Sequence, residues 1–358
     1  MRVSSLKKKV WQTSIALLMT AFLQNVYAQA PSVIRIASPD LTTGSKHAGS
    51  GVVDVLYTKH WIEQEFAKEH IQVEWHFFKG AGPAINEALA NQQIDFAFLG
   101  DLPPIIGKAG GLDTQLLVPT ARGLTNYLVV RQDVKVNNLQ GLKGQRVGLL
   151  RGTADELSFV AALHSQGLTT KDVRLVNLDF NAVNAALAAQ KIDASWGGSR
   201  FFALRDRKIV QLPLSTRQLN GAGASQGIFL GTTAFIQKHP QETQRVVNQV
   251  VKGLAWLSED KNKVPQIAIF FTQSGYPASV YAQELNNVNL KFLYSPLFDA
   301  YYLGQLEEKI KLAHSQGLIR QPLDLKPWVN PTFVQHAIST LKLELFWTPT
   351  THYAYLKH

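Results

Sequence analysis

Residues 91–107 read NQQIDFAFLGDLPPIIG. A polar entry gives way to a largely apolar run from Phe96 to Gly100, and an acid and two prolines follow. Asp101 suits the N-cap of a helix, and Pro103 falls in the first turn, where a missing N–H costs little. The stretch reads as a buried strand that runs straight into a helix N-terminus. Such an end carries free N–H groups and partial positive charge. The rest of the chain decides what that end faces.

The same pattern recurs on both sides. Residues 33–37, 73–78, 95–99 and 114–120 read as strands. Helical patterns across 52–69 and 83–91, and the helix that DLPP begins, separate them. The alternation then restarts, with strands at 126–130, 146–150, 173–178, 194–196 and 209–212. Helices are expected at 153–166, 181–190 and 201–207. This order predicts an α/β protein with parallel strands and right-handed crossovers. Residues 213–232 are loop-rich and end in a strand. From 233 onward the chain is mostly helical, with Val246, Val247, Val250, Leu254 and Leu257 at helical spacing. Further helices are expected near 261–272, 278–286 and 301–316. No repeat of solenoid type is visible.

The chain has 358 residues, which suits two domains. Its first thirty residues stand apart. Arg2, Lys7, Lys8 and Lys9 precede a short apolar core at 10–23, and small residues follow before Ala28 and Ala30. This is the pattern of a secretory signal peptide, residues 1–28, and its core is short of the roughly 20 residues that span a bilayer. No later segment is apolar enough to span. There is no cysteine, so thiolate chemistry, disulfides and a lipid-modified cysteine tether are all excluded. An exported, cysteine-free chain suits the periplasm. The formal charge is +10, from 36 basic and 26 acidic residues. Removing the four basic residues of the leader leaves 32 against 26, or +6. That mild excess favours an anion. It is not clustered, so no nucleic-acid partner is expected.

In open α/β sheets a ligand lies beyond the carboxyl ends of the strands. Here those ends are rich in small and polar residues: TTGSKH, GAGP, GDLPP, RGTAD and WGGS. Helix N-termini aimed at one cleft make an anion site. Candidate contacts from these junctions are Ser45, Gly82, Leu102 and Ala154. Asp101 reads either as an N-cap or as a partner for a donor on the ligand. Thr153 reads as an N-cap whose neighbouring amides face the cleft. Arg122, in PTARGLTNY, is either a solvated hinge residue or a cation offering paired N–H groups. His47 is either a donor to the anion or simply exposed. Gln226, in GASQG, is a further candidate contact.

Five segments resemble the solute receptors of the aliphatic sulfonate, taurine and nitrate ABC importers: FFKGAGP (77–83), QQIDFAFLGDLPP (92–104), LKGQRVGLLRGTA (142–154), QKIDASW (190–196) and FIQKHPQETQRVVNQVVKGLAWL (235–257). They span nearly the whole mature chain in the family's order. The resemblance implies a two-lobed periplasmic binding protein fold of type II, with two crossing hinge strands and solute held in the cleft. Lobe one would comprise 31–121 plus 217–358, and lobe two 122–216. Closure of the hinge would make the form that docks to a membrane permease. Trp196-Gly197-Gly198 departs from the family, where Trp is often followed by an acid and Pro. With Phe201 and Phe202 beside it, Trp196 reads either as the wall of a roomy pocket, with Gly197 leaving space, or as core.

The function expected is that of a monomeric binding module for a small organosulfur anion, a sulfonate or sulfate ester with a hydrophobic tail. Nitrate, bicarbonate, taurine or a neutral heterocycle are alternative solutes. Sulfinate desulfinases and pyrimidine-precursor synthases resemble this family but rely on cysteine, which is absent. No catalytic residue, metal or cofactor is expected, since no GxSxG, HExxH or paired Cys/His spacing occurs.

Overall fold

The computed structural model describes residues 30–357; the expected leader lies outside them. β1 (Val33–Pro39) leads to α1 (Val52–Lys59) and α2 (Trp61–Phe66), β2 (Gln72–Phe78) to α3 (Ala81–Ala90), and β3 (Phe96–Gly100) to α4 (Leu102–Ala109). β4 (Thr114–Leu124) and β5 (Tyr127–Arg131) cross to the second half. There β6 (Arg146–Leu149) leads to α5 (Ala154–Ser165), β7 (Arg174–Asn177) to α6 (Phe180–Ala188) and β8 (Ala194–Gly197) to α7 (Phe202–Asp206). β9 (Val210–Ser215) and β10 (Ser225–Thr232) return. The remaining helices are α8 (Thr233–Lys238), α9 (Pro240–Ser258), α10 (Lys263–Ser274), α11 (Ala278–Glu284), α12 (Leu290–Leu293), α13 (Ala300–Ser315) and α14 (Thr332–Thr340).

The strands form two five-stranded sheets, ordered β2-β1-β3-β10-β4 and β7-β6-β8-β5-β9. The two orders are the same when each strand of one sheet is matched to its counterpart in the other. The lobes are thus two copies of one design. Each sheet is mixed, which corrects the expectation of parallel strands throughout. β10 runs antiparallel to β3 and β4, and β5 antiparallel to β8 and β9. The reason is topological. β5 and β10 enter from the other lobe by a direct crossing, so no helical crossover forces them parallel. The second crossing, 216–224, is a chain of turns rather than a strand, with Asn220, Gly221 and Gly223 at positive φ.

Both faces of the first sheet are covered. Phe96 and Phe98 join Ile34, Ile36 and Val250 in one apolar cluster, while Ala97 and Leu99 join Ile85, Ile105 and Leu306 in another. Successive strand residues point to opposite faces, so one apolar run feeds two layers.

A matched device fixes the centre of each sheet. The Asp95 carboxylate accepts from Arg35 N at 2.8 Å, Nε at 3.1 Å and Nη2 at 2.7 Å. The Asp193 carboxylate accepts from Arg146 N at 2.9 Å, Nε at 2.9 Å and Nη2 at 2.7 Å. In each case the arginine also reaches a glutamine carbonyl, Gln92 or Gln190, at positive φ. The aspartate of QQID and of QKID therefore pins the start of an inner strand to the strand beside it.

The Arg146 hydrogen bonds hold the Asp193 carboxyl below its usual range. A carboxylate with a depressed folded value contributes its full stability above the ordinary aspartate range and loses it as pH falls through the folded value. Urea unfolding at pH 5, 4 and 3 should show wild type losing stability below about pH 4. Asp193→Asn should be less stable at pH 5 and show a flatter slope over the same window.

Candidate functional site

The lobes meet along a seam built from the strand-end junctions. A Cβ placed on Gly100 would lie 2.5 Å from the Ala154 Cβ, and one on Gly82 would collide with Pro103 and lie 3.6 Å from the Gly152 carbonyl. Leu157 of α5 is buried in the same cluster as Leu99 and Leu102 of the other lobe. The N-termini of α3, α4 and α5 thus converge as expected, and their small residues let the backbones touch.

Farther along the seam lies a polar corner. Arg200 follows β8 and reaches Asp155 Oδ2 at 2.7 Å, while its Nε is buried without a partner. Its guanidinium carbon lies 4.7 Å from the Phe180 ring centre and 4.4 Å from that of Phe201. From the other lobe comes Tyr276, which packs in a small cluster with Phe202 and Val280. Burial pushes the Tyr276 phenol up, opposed by the Arg200 charge and by the Asn184 side chain. The Asn184 Oδ1 is itself buried and unpartnered.

On the first lobe's side, the loop after β1 is held by two acids. Asp40 faces His47 Nδ1 at 3.0 Å, and the His47 ring stacks on Phe77 at 4.7 Å. Asp54 accepts from Gly49 N at 2.7 Å and Ser50 N at 3.1 Å. Burial raises the Asp54 carboxyl to about 7, against those two hydrogen bonds.

A family model described as NMT1/THI5 like matches residues 66–263. The chain belongs to the NMT1/THI5-like family. A relative from Bacillus subtilis (strain 168), named as a candidate aliphatic sulfonates-binding protein, is 30% identical over 293 residues, covering 78% of this chain and 82% of its own. A solved structure of a candidate periplasmic sulfonate-binding protein, SsuA from Methylobacillus flagellatus KT, is 34% identical with a TM-score of 0.77, covering 90% of this chain and 98% of that one. The desulfurization enzyme DSZB shares the fold, with a TM-score of 0.63 at 14% identity over 86% of this chain and 99% of its own.

Within this NMT1/THI5-like chain several expected contacts have other tasks. Asp101 occupies the N-cap position without capping. Its Oδ2 accepts from Gln226 N at 2.9 Å and pairs with Lys309 Nζ, because α13 brings a buried lysine to it. Arg122 is fully buried and spends its terminal nitrogens on Asp299 Oδ2 at 2.6 Å, the Ser295 carbonyl at 3.0 Å and the Leu297 carbonyl at 2.6 Å. It is neither solvated nor free for a ligand. Trp196 is core: its Nε1 donates to Ser158 Oγ at 2.7 Å, and it packs with Phe159 and Val147. Leu102 is core as well. Gln226 is fully buried beside Asp101 at the first lobe's junction, and neither end of its side-chain amide has a partner.

The other expected residues remain at the seam or its rim. Thr153 is at the N-cap of α5, but its hydroxyl donates back to the Leu150 carbonyl at 2.6 Å. Glu156 takes the neighbouring Gly152 N–H at 2.6 Å. Ser45 and His47 are exposed. Gly197 does leave space, and the Arg200 guanidinium fills it. Sequence reasoning missed Arg200, although it stands in WGGSRFF beside the glycines already singled out. Among the described residues no cluster of three or more His, Cys, Asp or Glu side chains is placed to hold a metal ion, and no helix is long and apolar enough to cross a membrane.

Two outcomes follow from these partners. Arg122→Ala strands a buried Asp299 and should cost about 3–5 kcal/mol of stability, read by chemical denaturation. Asp54 has a raised folded value, so its protonated form favours the fold, and its contribution declines as pH rises from about 4 to about 7. Asp54→Asn should remove that decline and flatten the difference in unfolding free energy across this window.

Proposed function

We propose that the chain is the exported binding component of an ABC importer, capturing a small organosulfur anion with a hydrophobic tail and presenting it to a membrane permease. It works in the periplasm after loss of its leader and without chemical change to the solute. Lobe one comprises 31–121 plus 217–358 and lobe two 122–216, so the cleft opens and closes about the two crossings. The observation that carries the reading is the seam itself. Strand-end junctions of both lobes, with three helix N-termini, meet face to face in a chain whose relatives over most of its length are named for sulfonates. Helix N-termini and backbone amides suit an oxyanion. A cysteine-free chain offers no thiolate nucleophile, which argues against the desulfurization chemistry found on this fold.

A thermal-shift series with alkyl and aryl sulfonates, sulfate esters, taurine, nitrate and bicarbonate tests the proposal. A sulfonate at 100 times its Kd should add about 2.7 kcal/mol of stability. The solute should be recovered intact. Stabilisation by nitrate or bicarbonate alone, or release of sulfite, would overturn it.

A further inference from the structure

We infer that Arg200 is the cation that receives the oxyanion of the solute, and that Asp155 is the internal carboxylate which that oxyanion displaces. The inference rests on the anion-binding reading above and names the residue that would carry it. Four observations converge. First, the guanidinium occupies the space that Gly197 leaves, with Nη2 2.5 Å from where a Cβ would stand. Any larger residue there would expel it, which gives Gly197 a task. Second, a guanidinium carries five N–H donors. Asp155 takes Nη2, and Nε is buried with nothing to accept from it.

Third, the group is aimed. The Phe180 and Phe201 rings flank it, and Tyr276 of the opposite lobe packs against the next residue, Phe202. Asn184, on the same helix as Phe180, has a buried, unpartnered Oδ1. An oxyanion on Arg200 would therefore lie close to where the second lobe packs on Tyr276 of the first, and the half-buried Phe180 ring would meet an apolar tail. Fourth, the other arginines near the junctions are committed elsewhere. Arg122 also has an unpartnered Nε, but it is fully buried with both terminal nitrogens spent on Asp299 and two carbonyls, and Arg151 lies in solvent against Glu156.

Asp155 suits a displaceable partner. It stands in the first turn of α5, where the helix end favours its charge whether or not Arg200 is beside it. A sulfonate offers three oxygens to the same planar fork and can take two N–H groups together.

Calorimetric titration with hexane-1-sulfonate tests the inference. Arg200→Gln should weaken binding about ten- to a hundred-fold, the loss of one charge-assisted contact. Arg200→Lys keeps the charge but not the paired donors and should fall between, which also covers the case in which the glutamine variant folds poorly. Asp155→Asn removes the competing carboxylate and should tighten binding about three- to ten-fold, on the order of the charge-assisted contact it frees. If wild type does not bind the probe, the sulfonate reading fails and the inference with it. If wild type binds but both Arg200 variants stay within about two-fold, the inference alone is overturned. If Asp155→Asn weakens binding, Asp155 positions Arg200 and the displacement is refuted.

Discussion

One helix holds both crossings between the lobes. α13 begins at Asp299, whose Oδ1 caps it through Tyr302 N at 3.0 Å and whose Oδ2 receives Arg122 of β4. Ten residues on, Lys309 pairs with Asp101 and donates to the Ala224 carbonyl at 2.6 Å, at the end of the second crossing. Both ion pairs are buried. Buried charges are tolerated only when paired and hydrogen-bonded, and losing one partner is costly. The helix therefore fixes where the crossings leave the first sheet, and with them the axis about which any lobe movement must turn. Tyr302, from the same helix, adds a hydrogen bond to the Gly227 carbonyl.

That anchoring ties up charges that read from sequence as candidate solute contacts. Asp101, Arg122 and Lys309 all sit close to the strand ends and are held in buried ion pairs, although Asp101 Oδ1 and Arg122 Nε have no partner. On the second lobe Arg200 likewise keeps a buried Nε without a partner. The crossings themselves are tied by Asn126, which exchanges hydrogen bonds with Thr216 and reaches Ser225. Trp196 takes part at one remove: it donates to Ser158, which in turn donates to the Gly223 carbonyl in the turn-rich crossing. A residue that reads as a pocket wall is instead a strut between the second sheet and the hinge.

The duplicated arginine–aspartate pairs show why the two halves read alike. QQID and QKID are short, but each aspartate accepts three hydrogen bonds from an arginine some fifty residues away in the chain, 60 in one lobe and 47 in the other. The motif is a local sign of a non-local contact. It positions the inner strand of each sheet, and so the junction that follows it, GDLPP in one lobe and WGGS in the other.

The strand and helix order and the doubled α/β plan were legible in the sequence. Each depends on periodicity or composition, which near neighbours express. The helix at 332–340 was not read, and the mixed direction of the sheets was missed because direction follows from how a strand enters, not from its residues. The roles of single side chains were the least legible. Arg122 and Arg200 both stand beside glycines at junctions. Only the fold places Asp299 against the first, 177 positions away, and Asp155 against the second, with its Nε left unpartnered. Sequence determines which groups are available; partners distant in the chain decide which of them are already spent.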